Sequence, residues 1–433
     1  MGISIAQRKS SSMGLSKLFG AAVLGLAVLI GVSNLQPHNE DALLSDWSAP
    51  PPWPIFIGLN VIAGGLRAAA DALTPPPFKM LDMALGFHHT ILVHVAQKFK
   101  IPDVIAAEGP LSAAEIAAKV GSDAEYIERI MYACAANGVF KLAKPEPGKG
   151  HRFVNTALSA VLRVDHPNSM RAMVGHQAED AYPAWGKLVA FLEDPKGPIA
   201  WDMAFPKYPF DKGGIWNYYE AKPEQEDQFG RAMTAIDGLG AQAMVDDGPF
   251  ERFERVVDIG GGRGHMMHVI LDALPALRGV VMDRAPVIEL AKKAWGAGGE
   301  FASAADRVQL EAGDMFKAAT IPKGADGDAY MMRYILHDWP TKDALAILKN
   351  VRTAMGSSKN SSLLIGECAI PDHDTIGVPP VMYQIDVQMM GIFGEAQERT
   401  PAQWKDILSK GGFEMVGIHP TRSLVHWVEA KPI

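Results

Sequence analysis

Val256-Val257-Asp258-Ile259-Gly260-Gly261-Gly262-Arg263-Gly264-His265 is a buried-strand pattern that runs into a cluster of glycines and then into Met266-Met267-His268-Val269-Ile270-Leu271. It predicts a strand, a tight turn and a helix. Asp258 closes the strand, and Gly260, Gly262 and Gly264 suit a loop whose backbone must approach a ligand closely, because a Cβ there occupies the ligand's space. The spacing is D-x-G-x-G-x-G, so the dinucleotide fingerprint G-x-G-x-x-G is not met and NAD is disfavoured. The next apolar stretch, Gly279-Val280-Val281-Met282-Asp283, ends in an acid about twenty residues further on, where a carboxylate can accept both ribose hydroxyls of a nucleoside. A nucleoside without a pyrophosphate is implied, and S-adenosylmethionine is the commonest such cofactor.

Downstream, three more stretches of strand type alternate with helical patterns: Val308 to Phe316, Asp328 to Leu336, and Leu363 to Glu367. Alternation of this kind predicts an α/β fold with a parallel sheet, whose ligands lie beyond the carboxyl ends of the strands. Asp258, Asp283, Asp314, His337 and Glu367 all fall at or just past those ends, and chance packing explains such convergence poorly. An imidazole with an ordinary pKa near 6.5 suits His337 to take a proton near neutral pH.

Composition narrows the partners. The chain has 433 residues and a formal net charge of −8, which disfavours nucleic acid. Cys134 and Cys368 lie far apart, with neither metal-ligand spacing nor a disulfide framework. Cys368 reads as an apolar filler. No metal site is expected.

The amino-terminal part differs from the rest. Residues 1–45 carry Arg8, Lys9, Lys17 and a serine run, and Leu18 to Val32 is almost wholly apolar. This is read as a targeting or membrane-anchor segment, directing the chain to a mitochondrion or chloroplast or anchoring it through residues 15–33. Residues 46–77 form a proline-rich linker that includes a helix, Ile55 to Leu73, of membrane-surface or packing type. In 78–166, a capping-box start at Ser112-Ala113-Ala114-Glu115, a break at Gly121 and two short strands make a winged-helix arrangement. Asp123, Glu125 and Glu128 on its second helix face only Arg129, the wrong balance for phosphate contact, so packing and dimerisation are the expected roles. Residues 167–246 are helical and rich in aromatics, a connecting region and substrate wall; 247–433 hold the cofactor domain.

Together these residues resemble the plant-type small-molecule O-methyltransferase family that contains the caffeate and acetylserotonin O-methyltransferases and bacterial and algal relatives. The resemblance spans roughly Phe78 to Ile433. It implies a Rossmann-like class I methyltransferase domain preceded by an α-helical winged-helix dimerisation domain, a homodimer, and a small-molecule substrate. It also implies that S-adenosylmethionine is held by Asp258, Gly260, Gly262, Gly264, Asp283, the Asp314-Met315 pair and Arg333, the last standing where many members carry lysine. His337, in His337-Asp338-Trp339, is implied as the general base, with Glu367 and Glu398 as flanking acids and Met389 on the substrate side. A hydroxyl acceptor is the leading expectation. The alternatives are S-methylation of a small thioether acid such as 4-methylthio-2-hydroxybutyrate, as in dimethylsulfoniopropionate synthesis, or a non-catalytic membrane-tethered or DNA-binding regulator.

Overall fold

The structure, a computed structural model, describes residues 51–433 other than 149, 359 and 372–377. The expected targeting segment, 1–45, therefore lies outside the described residues. Helix α1 (Trp53–Leu73) fills the place of the helix expected in the linker, and none of its residues is buried. Pro76, in the first turn of α2 (Pro76–Lys98), suits a helix start, where the missing N–H has no intrahelical partner to lose. A left-handed Lys100, φ 54°, then redirects the chain into α3 (Ile101–Glu108).

The winged-helix arrangement follows. The side chain of Ser112 accepts the N–H of Glu115, and the Glu115 carboxylate accepts the N–H of Ser112, which starts α4 (Ala113–Val120). Gly121 in the left-handed region ends it. Asp123 caps α5 (Ala124–Ala136) by accepting from Glu125 and Tyr126. The antiparallel strands β1 (Phe140–Leu142) and β2 (Phe153–Asn155) form the wing. Ile101, Ile116, Ile127, Met131, Phe140 and Phe153 form one core beneath these elements. Short helices then lead to α6 (Gly214–Ala221) and α7 (Pro223–Gly238).

The catalytic part is a seven-stranded sheet in the order β5-β4-β3-β6-β7-β9-β8. Strands β3 (Arg255–Ile259), β4 (Arg278–Asp283), β5 (Val308–Ala312), β6 (Asp328–Arg333) and β7 (Ser362–Glu367) run parallel. The last two were not anticipated: β9 (His426–Pro432) pairs antiparallel with β7, and β8 (Phe413–His419) pairs antiparallel with β9. Helices α8 (His265–Ala273), α9 (Ala285–Trp295), α10 (Thr341–Met355), α11 (Pro380–Phe393) and α12 (Pro401–Lys410) complete the domain. Apolar residues on both faces of β3 feed two cores, Val256 with Met267, Ile270 and Ile288, and Val257 with Tyr330, Leu348 and Trp404. Chain order reverses on either side of β3, so a crevice opens at its carboxyl end, where the glycine turn lies. The third parallel strand stops at Ala312, shorter than its apolar pattern. Asp314 instead folds a loop, its carboxylate accepting from Phe316 N and its N–H donating to Thr320 Oγ1.

Candidate active site

The glycine turn is a cradle whose glycines have different physical reasons. Gly260, φ 74°, lies against the side chain of Ile335, which a Cβ would strike. Gly262, φ 59°, has no protein atom within 4 Å of where a Cβ would stand. Its backbone thus borders open space, as close approach by a ligand demands. Gly264 packs on the Trp295 ring, and Asp258 is buried behind the turn. Burial pushes the Asp258 carboxyl up to about 7, against the pull of Arg333 and with the repulsion of Asp283 and Asp237. Asp283 ends β4 and accepts the Gly262 N–H at 2.8 Å through one oxygen and the Arg284 N–H at 2.7 Å through the other. A carboxylate oxygen accepts more than one donor, so these bonds leave Asp283 able to receive a ribose hydroxyl. Asp314 and Met315 stand in the loop past β5, Met315 packed on the core beneath. The expected adenosine-side residues are thus brought to one end of the sheet, and the open approach at Gly262 fits a nucleoside cofactor.

Arg333 is brought to the same end, but its guanidinium is committed. It forms a bidentate pair with Asp237 of α7, one bond of 2.7 Å from Nη2, while His265 Nδ1 lies 3.4 Å from the same carboxylate. Arg333 Nε is buried without a hydrogen-bond partner, so one donor of the guanidinium stays unused. Asp237 was not anticipated. Its signal in the chain is a lone acid near the end of a helix, which resembles any solvated position.

The second cluster surrounds His337, which is 6% exposed. Its Nδ1 is 2.5 Å from Glu398 Oε1 and 3.4 Å from Glu367 Oε2, and its Nε2 is 3.4 Å from Asp338 Oδ1. An ionised carboxylate only accepts, so Nδ1 carries the hydrogen in the Glu398 bond and Nε2 is the nitrogen left for proton transfer. Burial alone favours a neutral ring, but Glu367, Glu398 and Asp338 together raise the imidazole to about 10. The base expected near 6.5 is therefore a much stronger one, because three acids face it. Burial in turn pushes the Glu367 and Asp338 carboxyls up to about 7, against the attraction of His337.

Local structure aims this ring. Tyr334 adopts a left-handed backbone, φ 53°, rare for an aromatic residue, and breaks β6 into the short turn 336–338. Its ring stacks on His337 with centroids 5.5 Å apart and faces Arg333 on the cofactor side. Glu367 accepts the N–H groups of Ile335 and Leu336 at 3.1 and 3.0 Å, holding the turn as well as facing the ring. Arg399, 1% exposed, donates to the carbonyls of Leu336 and Trp339 on either side of the histidine. It too was not anticipated, since an arginine beside Glu398 in the chain carries no sign of the turn it holds. Asp386 of α11 accepts the N–H of Glu398 at 2.8 Å. Met389, one turn further along that helix, is buried with Tyr218, Tyr219 and Phe393.

An aromatic wall from the helical region closes on this turn. Trp216 of α6 stacks on Phe393 and Trp339, with centroids 6.0 and 6.5 Å apart, and its indole nitrogen is buried without a hydrogen-bond partner. Trp339 in turn meets Phe316 edge to face at 4.8 Å, joining the wall to the loop of Asp314 and Met315. Cys368 is buried and its thiol is pushed up by that burial, so its reading as an apolar filler holds.

Comparison with known proteins agrees with this geometry. Residues 185–414 match the O-methyltransferase domain, and 81–165 match the O-methyltransferase dimerisation domain. The phenazine O-methyltransferase PhzM of Lysobacter antibioticus is 33% identical over 82% of this chain and 96% of its own length. The 8-amino-8-demethylriboflavin N,N-dimethyltransferase of Streptomyces davaonensis is 31% identical over 81% of this chain and 93% of its own. Among solved structures, LaPhzM superposes with a TM-score of 0.73 at 32% identity, covering 83% of this chain and all of that one.

Proposed function

Because the chain belongs to the small-molecule O-methyltransferase family, we propose that its acceptor is a hydroxyl on a planar aromatic molecule, deprotonated by His337 with Glu398 and Glu367 behind the ring. The family uses S-adenosylmethionine, so the chain is an S-adenosylmethionine-dependent O-methyltransferase carrying the dimerisation domain of a homodimer. The thioether alternative finds no support in these relatives, and the regulator alternative gives way to an enzyme family. Gly260, Gly262, Asp283, Asp314 and Met315 would hold the cofactor, with Asp258 behind the turn and the free Nε of Arg333 beside it. When bound, the cofactor supplies an electrophilic methyl group on a sulfonium sulfur.

The residues of the chain account for the rest of the chemistry. A hydroxyl loses its proton as it is methylated, and Nε2 of His337, once the ring has shed its own proton there, is the nitrogen that accepts one. A conjugate acid near 10 matches the ordinary pKa of a phenol, so transfer between them is close to balanced. Glu398 keeps the ring in one tautomer, the orienting role an acid plays in a triad. Trp216, Trp339 and Phe393 stack into an aromatic wall beside the histidine turn, apolar surroundings that suit an aromatic ring and exclude water. The observation that carries the reading is the short Nδ1 to Glu398 bond on a histidine beside stacked aromatics.

The test is turnover with isotopically labelled cofactor on a panel of hydroxylated aromatics, aliphatic alcohols, aromatic amines and thioethers, using wild type and His337→Gln. We expect the hydroxylated aromatics to be methylated, with turnover in the variant lower by roughly 10²–10⁴-fold and cofactor affinity unchanged. Turnover confined to the amines or thioethers, or surviving in the variant, would overturn the proposal. For residues 1–45 we keep organelle targeting or membrane anchoring as a proposal, supported by the basic start and the apolar run Leu18 to Val32. Its test is the location of a fluorescent protein fused to that segment, and uniform cytosolic fluorescence would refute it.

A further inference from the structure

Helix α1 precedes the matched dimerisation domain, which begins at residue 81, and it lies bare on the surface of the chain. Six of its apolar residues form one ordered line, while Phe56, Ile57 and Val61 lie off it. Ile55, Leu59, Ile62, Leu66, Ala69 and Leu73 are spaced alternately by four and three, the seam of three heptads. All six are exposed, Ile55 by 55% and Leu73 by 85%. Of the positions flanking the seam, Gly58, Ala63, Gly65, Ala70 and Ala72 are small and Phe56 alone is large, which lets a second helix come close along most of its length. The polar side chains Asn60, Arg67 and Asp71 follow one another at seven and four residues and share the opposite stripe.

Length and composition alone would also let this 21-residue helix cross a membrane. A bilayer asks only for apolarity, however, and not for a 3.5-residue repeat. It would also take in Arg67, a charge costing up to about 2.5–3.5 kcal/mol in the hydrocarbon, whereas Asp71 lies in the last turn of the helix. Asp71 is paired with Lys79 of α2 at 2.8 Å, at the corner between the two helices. At its start, α1 is tied to its own catalytic domain, where Trp53 donates to Asp247 at 3.2 Å and Arg422 to the Pro51 carbonyl. At its end only Thr74 and Pro75 separate it from α2. The first half of α2 exposes Phe78, Met80, Leu81, Met83 and Phe87, so the apolar surface of α1 runs directly into that of the dimerisation domain.

We propose that α1 is an added arm of the homodimer, its Ile55-to-Leu73 seam packing lengthwise on α1 of a second copy. The occupant is another copy of this chain because the seam is self-complementary in type and continuous with the dimerisation surface. Three heptads are marginal for an isolated coiled coil. Here each helix is fixed near both ends to a body that already dimerises, which raises its effective concentration toward its counterpart.

The test uses full-length protein. Both native cysteines are fully buried, so an introduced surface cysteine is the reactive one. Ile62→Cys, Leu66→Cys, a coexpressed pair of the two, and Asn60→Cys on the outer stripe are oxidised and resolved as monomer or covalent dimer. A parallel pair of helices cross-links each seam variant with itself, an antiparallel pair cross-links the coexpressed variants, and either supports the proposal if Asn60→Cys stays monomeric. Separately, Leu59→Glu/Leu66→Glu should raise the dimer dissociation constant at least tenfold in sedimentation, with turnover retained at concentrations where it remains dimeric. Absent cross-linking at every seam position, or equal cross-linking at Asn60→Cys, would overturn it. So would wild-type protein that floats with phosphatidylcholine vesicles while the double variant does not and sediments unchanged.

Discussion

At the residue scale the decisive quantity is the proton affinity of His337. Three carboxyl groups raise it to about 10, so the ring holds its proton through neutral pH in the resting protein. Its working form as a base is the deprotonated one, and that fraction grows tenfold per pH unit below the pKa. For a hydroxylated aromatic, kcat/KM should therefore keep rising from pH 7 toward pH 10, measured in overlapping buffers with the fold checked by circular dichroism. A plateau reached by pH 7.5 would mean that the acids do not hold the ring as described. Replacing Glu398 by Gln removes one of the raising charges and should move the rise to lower pH while lowering the maximal rate. Asp283 makes a different demand, since it accepts the Gly262 N–H as well as facing the cofactor cradle. Asp283→Ala should weaken S-adenosylmethionine by about 1–3 kcal/mol, the cost of leaving buried donors unmet, and calorimetry giving wild-type affinity would remove the assignment.

Elements decide whether those residues meet, and here legibility in the sequence divides along physical lines. Most of the parallel strands are short apolar runs ending in acids or running into glycines, a pattern that survives without knowledge of neighbours; β3, β4 and β7 lie where they were expected, while β6 ends at Arg333, short of the expected Leu336. By contrast β8 and β9 carry Glu414, His419, Glu429 and Lys431 among their apolar residues and sit at the antiparallel edge of the sheet, so neither a buried run nor a clean alternation marks them. The same divide runs through the site. His337, Glu367 and Glu398 are legible because chemistry names them. Asp237 and Arg399 work through partners 96 and 63 residues away, a relation that only the fold creates. Arg399 holds both sides of the histidine turn by carbonyl bonds that one planar guanidinium can make together. Arg399→Lys should therefore lower kcat by roughly tenfold or more with little change in cofactor affinity, while Arg399→Ala also costs stability by leaving buried carbonyls unpaired. Equal loss of kcat and of cofactor binding in the Lys variant would place Arg399 in general packing instead.

For the whole molecule, the question is what joins its parts. The helical wall reaches the sheet through the Asp237–Arg333 pair, both side chains almost fully buried. Removing one partner strands the other charge, so Asp237→Asn should destabilise the protein by about 3–5 kcal/mol and lower the midpoint of thermal unfolding. The amino-terminal side is joined by Pro51 and Trp53, which meet Arg422 and Asp247 of the catalytic domain. The residues assigned to chemistry lie between Asp237 and Arg399. A protein beginning at Ala49 keeps those contacts, the whole of α1 and the dimerisation domain while shedding the basic and apolar stretch proposed as a leader. It should turn over hydroxylated aromatics at the full-length rate and sediment as the same dimer, because the proposed leader would supply an address and not a catalytic group. Activity assays and sedimentation on the two proteins side by side decide this. A truncated protein that is folded and dimeric yet inactive would mean that residues before Ala49 help to build the site.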